Sequence, residues 1–247
     1  MKDLEFLKNA DSTDLQVLVD YLTKNKNGNF RITESLSITK HYHDFYPNRL
    51  PQMWRDIADE LQRYGGNTFR NILRGGGPSY RTILIDVCKK MKVNFSKYAA
   101  VETIERNLLE KILLSSLDQM TVEELKTLIE EMNIPTKGYG KQALTTALQI
   151  AIKKGGFKSY QIAVIIANAI SRLLLGRGLS LSANAALTRS MCIFAGPVGW
   201  AVTIAWTLLD IAGPAYRVTI PAVIQVAYMR AKMQYKLLEQ GEYSMCG

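Results

Sequence analysis

Apolar residues recur at helical spacing along almost the whole chain, and alternation with a period of two is close to absent. Leu15, Leu18, Val19 and Leu22 follow the i, i+3, i+4, i+7 pattern behind a cap expected at Ser12, and the run stops at Asn27-Gly28. Trp54, Ile57, Ala58 and Leu61 repeat the pattern up to Gly65-Gly66. Tyr80, Ile83, Leu84, Val87, Cys88 and Met91 give a third stripe, and Val101, Ile104, Leu108 and Ile112 a fourth. Only residues 30–33 and 93–95 read as short strands. The expected class is therefore all-α: a multi-helix globular bundle with an apolar C-terminal helical hairpin.

The apolar hairpin rests on residues 190–209, a run of 20 uncharged residues between Arg189 and Asp210. That count meets the roughly 20 residues a membrane span needs. Proline changes the reading, because Pro197 favours the first turn of a helix and Gly213-Pro214 ends one. The helix left between them is about 15 residues, or about 22 Å, short of the roughly 30 Å hydrocarbon layer. Trp200 and Trp206 fall inside it and not at its two ends. The expectation is short apolar helices packed as a core hairpin that insert only if the packing opens. A further helix, expected from Pro221 onward, runs from Val223, Ile224 and Ala227 into Arg230, Lys232 and Lys236, a basic end suited to anionic headgroups.

Composition narrows the class of protein. With 47% apolar and 21% charged residues in 247, the chain has material for a real core, and its net charge is +9. Residues 156–247 hold 8 basic and 3 acidic side chains, so the most apolar part of the chain is also basic. This pairing suits an acidic partner or an anionic membrane surface. Cys88, Cys192 and Cys246 are odd in number and widely spaced, which fits neither a disulfide framework nor a zinc knuckle. The acidic residues of MKDLEFLKNADSTDL interrupt any signal-peptide core, so the expected location is cytoplasmic, peripheral to the inner membrane at most.

Three stretches, ELQRYGGNTFRNILRGGG from Glu60, YRTILIDVCKKMK from Tyr80 and GPAYRVTIPAVIQVAYMR from Gly213, together resemble the YaaW-like family of bacterial proteins of unknown function. Its members share a short N-terminal domain and this proline-bearing C-terminus. The family is in turn remotely similar to the ubiquinol-cytochrome c chaperones, helical assembly factors that act at a membrane. The resemblance implies an all-helical protein concerned with assembly, and it transfers no catalytic residue.

Other motifs carry weaker chemistry. His41 and His43, beside Asp44, are the only histidines, and a shared metal would need an extended backbone and a third ligand, so a polar loop is expected and no metal site. RGGGPSYR sets Arg74, Gly75, Gly76, Gly77 and Arg81 before a helix start, where backbone amides and arginines can hold a phosphate. It lacks the Walker GK[ST] ending, and a tight interhelical turn is the default. MTVEELKTLIEEMNIPTKGYGKQALTTAL opens on a capping box at Thr121 and Glu124 and resembles the SAP motif, whose second helix often binds DNA. Lys137 and Lys141 are its candidate contacts, but phosphate affinity needs more cations than the acidic segment supplies.

The expected organisation is residues 1–117 as an N-terminal helical domain, 118–155 as the SAP-like hairpin and 156–247 as an apolar, basic helical region. The expected function is non-enzymatic and cofactor-free. The chain would bind a protein partner or an anionic membrane surface, with Trp200, Trp206, Arg217, Arg230, Lys232 and Lys236 as contact residues and a homo-oligomer as one possible form. Nucleic-acid binding through the hairpin, and membrane permeabilisation by a releasable apolar hairpin, are the alternatives.

Overall fold

The computed structural model describes residues 1–25, 27–65, 77–117, 120–154, 156–176, 179 and 216–245. A 3-10 helix, Lys2–Asn9, leads into α1 (Ser12–Thr23), α2 (Lys40–Phe45), a short 3-10 turn at Leu50–Met53, and α3 (Trp54–Tyr64). There follow α4 (Tyr80–Lys90), α5 (Val101–Leu117), α6 (Val122–Glu131), α7 (Lys141–Lys154), α8 (Gly156–Leu175) and α9 (Tyr216–Met245). The class is all-α. Among the described residues there is no strand, only an isolated antiparallel bridge between Lys24 and Phe30. No helix among them is long and apolar enough to cross a membrane. The apolar run 190–209, with Trp200 and Trp206, lies outside the described residues, as does the hairpin expected there.

Helices α8 and α9 form the centre. From Tyr160 to Asn168, α8 is buried on every side, and in α9 residues 218–230 are buried without a break. A helix apolar nearly all round needs neighbours all round. Helix α9 finds them in α8, α1, α5 and α4, and α8 is also flanked by α5 and α7. Helix α9 begins at Tyr216 and carries Pro221 inside it, in place of the expected start at Pro221. The proline leaves the Arg217 carbonyl without its i+4 donor, a loss that falls near the helix start. One hydrophobic cluster runs from Leu4 to Met229.

Local chemistry explains where the helices stop. Helices α4 and α6 end in the same motif: Lys92 (φ 54°) and Asn133 (φ 47°) take the left-handed conformation. The amides after them, Val93 and Ile134, donate back to the carbonyls of Cys88 and Ile129, each at 2.9 Å. Residues 93–95, expected as a strand, therefore begin as the exit of a helix cap. The capping box at Thr121 is present in both directions, with Glu124 N to Thr121 Oγ1 at 3.2 Å and Thr121 N to Glu124 Oε2 at 2.8 Å. At α1 the expected cap moves by one residue: Asp11 holds the N-cap position, and Ser12 Oγ instead donates to the Asn48 carbonyl at 2.8 Å. The expected polar loop at His41 is also corrected. Thr39 Oγ1 accepts from Tyr42 N and opens α2, whose geometry turns His41 and His43 to different sides.

Candidate functional site: the last helix and the clefts beside it

Helix α9 carries four of the sequence-predicted contact residues, and its fold uses two of them internally. Arg230 is 9% exposed. Its Nε donates to Glu105 Oε2 at 2.8 Å and its Nη2 to the Asp3 carbonyl at 2.5 Å, while its guanidinium lies 4.2 Å from the Phe6 ring centroid. Glu105 is completed by the Tyr80 hydroxyl, which donates to Oε1 at 2.7 Å. Burial pushes the Glu105 carboxyl up to about 7, against the pull of Arg230 and Tyr80. Burial also works against the charge on Arg230, but Glu105 and Tyr80 outweigh it and raise its pKa. Arg230 is thus held as a cation by acceptors from two other elements, α5 and the first 3-10 helix.

Lys232 is engaged in the same way, with Nζ 2.6 Å from both Asp11 Oδ2 and Asp14 Oδ2. Asp14 Oδ1 also accepts from the Tyr228 hydroxyl at 3.2 Å, and the Asp14 carbonyl accepts from Gln225 Nε2 at 2.9 Å. Burial raises the pKa of Asp14 beyond what Lys232 lowers it, whereas in Asp11 the lysines outweigh burial and the pKa falls. Asp11 makes no side-chain cap to its own helix because its carboxylate is taken by Lys232 and, at 3.3 Å, by Lys236. The expectation that Arg230 and Lys232 present charge to headgroups is corrected: both neutralise carboxylates inside the fold. Lys236, 54% exposed at the side chain, and Arg217 remain at the surface.

Past Arg230 the helix changes character, and Leu237 and Leu238 are 62% and 56% exposed. They form a ridge between two clefts. One, of about 200 Å³, is lined by Glu102, Glu105, Arg106, Tyr160, Tyr235 and Leu238, among others. Tyr160 stacks between Tyr228 and Tyr235 at centroid separations of 6.4 and 5.2 Å. The other cleft, about 380 Å³, lies between Asn9, Ala10 and Asp11 on one side and Met229, Met233 and Leu237 on the other. The sequence pointed to this helix but not to the leucines, since nothing local marks where a continuous apolar pattern leaves the core.

The remaining predicted sites are scattered. Arg74, Gly75 and Gly76 lie outside the described residues. Gly77 abuts α3, where a Cβ would come within 2.2 Å of the Gln62 carbonyl oxygen. Arg81 Nη2 donates to the carbonyls of Lys97 and Ala99 at 2.7 and 2.6 Å, which ties down the loop before α5. Both have structural roles that the phosphate reading did not include. Lys137 and Lys141 are exposed on the α6–α7 hairpin, whose surface also shows Glu123, Glu124 and Glu130. His41 Nδ1 sits 3.0 Å from Asp56 Oδ2, and no cluster of three metal-ligating side chains occurs among the described residues.

Residues 2–32, which supply Asp3, Phe6, Asp11 and Asp14 to the last helix, match a family described as a Domain of unknown function (DUF3944). Over 240 residues the chain is 48% identical to a UPF0174 protein of Helicobacter pylori strain J99, covering 94% of this chain and 92% of that one. The chain belongs to the UPF0174 family. A second UPF0174 protein of the same strain is 39% identical over 213 residues, 83% of this chain and 99% of its own. The UPF0174 protein YaaW of Escherichia coli K12 is 30% identical over 232 residues, 92% and 93% of the two chains. The YaaW-like resemblance of the sequence is thereby established. No solved structure matches.

Proposed function

We propose that this UPF0174 protein acts by binding another protein, without catalysis, through the ridge and clefts at the C-terminal half of α9. The observation that carries the reading is the exposure of Leu237 and Leu238 on a helix that was buried all round two turns earlier. A single exposed leucine needs no explanation. Two adjacent ones between a pair of clefts offer apolar knobs together with places for a partner's side chains. The buried Glu105, Tyr80 and Arg230 support binding over chemistry, because their polar groups satisfy one another.

An anionic membrane surface is the second reading, favoured by the net charge of +9 and by Lys236 and Arg217 at the surface. It is weakened by the engagement of Arg230 and Lys232 inside the fold. The test is to isolate the native complex of wild type and of the Leu237→Asp and Leu238→Asp variants, and to float each with anionic and neutral vesicles. Loss of a co-purifying protein in the variants, with unchanged thermal stability, supports the reading. Salt-sensitive flotation with anionic vesicles alone would support the membrane instead, and no effect of either leucine in either assay would remove both.

A further inference from the structure

The larger cleft is a groove with a definite shape. Met229, Met233 and Leu237 are spaced i, i+4, i+8 on α9, so they make one ridge, inclined to the helix axis, that rises about 12 Å at about 1.5 Å per residue. Along it the exposure rises, from Met229 at 3% to Leu237 at 62%. Asn9 to Asp11, held to α9 by Lys232 and Lys236, make the opposite wall. Methionine side chains adapt to the knobs of different partners. A flat bilayer cannot follow the ridge down to Met229 past that wall, whereas one face of a helix can. Among the described residues at the open end, Lys236 is the most exposed charge, its side chain 54% exposed against 40% for Asp11, and Asp11, 3.3 Å away, already lies 2.6 Å from Lys232. A chain of net charge +9 also steers acidic partners toward itself and repels a second copy.

We infer that the groove of Met229, Met233, Leu237 and Lys236 receives an acidic amphipathic helix of a partner protein. The helix's apolar stripe would lie on the methionine ridge, with a carboxylate one turn away on Lys236. This rests on the binding role proposed for α9 and names the partner's chemistry. Two synthetic amphipathic peptides serve as probes, each with leucines at i, i+4 and i+8, one flanked by glutamates and the other by lysines. Each is titrated against the full chain by fluorescence anisotropy.

The glutamate peptide should bind roughly tenfold more tightly than the lysine peptide, and Lys236→Glu should reverse the order. Leu237→Asp, at a position mostly in water, should abolish binding without unfolding the chain. Equal affinity for the two peptides, or binding that survives Leu237→Asp, would overturn the assignment, as would a groove closed by self-association in light scattering. Failure of the broader role looks different. If Leu238→Asp, across the ridge, removes the native partner while the peptides ignore Lys236, the binding role stands and this groove is not its seat. If no variant changes any binding, both fall.

Discussion

Arg230 and Glu105 meet in the core with the Tyr80 hydroxyl and the Asp3 carbonyl completing their hydrogen bonds. Taking two charges out of water costs more than their attraction returns unless every acceptor is met, so the arrangement is sensitive to the loss of one member. Arg230→Met should cost about 3 to 5 kcal/mol in urea unfolding, because it strands Glu105. Adding Glu105→Gln should recover part of that loss, and additive losses would mean the two residues are not coupled. Lys92 offers the opposite case. Its φ of 54° is a conformation that glycine adopts without penalty, so Lys92→Gly should stabilise the protein by about 0.5 to 1 kcal/mol. A lowered urea midpoint would contradict the cap geometry. Lys92 did not stand out in the sequence and Arg230 stood out only as a headgroup contact, since a lysine in a left-handed cap and an arginine with a buried partner read like any surface cation.

At the scale of elements the sequence was most informative where periodicity and caps coincide. The α6–α7 hairpin shows this: Leu125, Leu128, Ile129 and Met132 face Leu144, Ala147, Leu148 and Ala151, all buried, and the Thr121 capping box is in place. Thr121→Ala should therefore cost about 1 kcal/mol, and Leu125→Asp several times more, since a carboxylate replaces a fully buried side chain. Thermal melts check both, and a larger loss from the cap than from the core position would reverse this account. Helices α1 and α2 were harder to bound. Lysines 225 and 221 residues away draw Asp11's carboxylate off its helix. Thr39 makes a helix of only six residues, too short for a periodicity signal.

For the whole molecule, the buried carboxylates set a direction with pH. Glu105 is raised from 4.5 to about 7, and Asp14 and Glu60 are also raised, in each case chiefly by burial. A carboxyl whose pKa is higher in the folded chain binds more protons there, so its contribution to stability is lost as pH rises from the ordinary carboxylate range through the folded value. Lys232 and Arg230 do not change this window, since their pKa values are raised from starting points far above it. Comparing wild type with Glu105→Gln between about pH 5 and 7.5 separates this effect from the chain's general charge repulsion. The wild type should lose stability relative to the variant as pH rises, and parallel curves would show that Glu105 titrates normally.

The all-α class and the register of each buried stripe were determined by the sequence itself, because a 3.6-residue period and a cap are properties of neighbouring residues. The stretch from Ile162 to Ile170, apolar nearly all round in the sequence, likewise calls for burial in a large core or in lipid, and tertiary structure placed it in the core. Only tertiary structure decided which charges face water. Lys236 and Lys232 are one turn apart on α9, yet the first is half exposed and the second is enclosed by Asp11 and Asp14. The difference is made by the first 14 residues folding back onto the last helix, and an interaction between the two ends of a chain leaves no periodic trace in either.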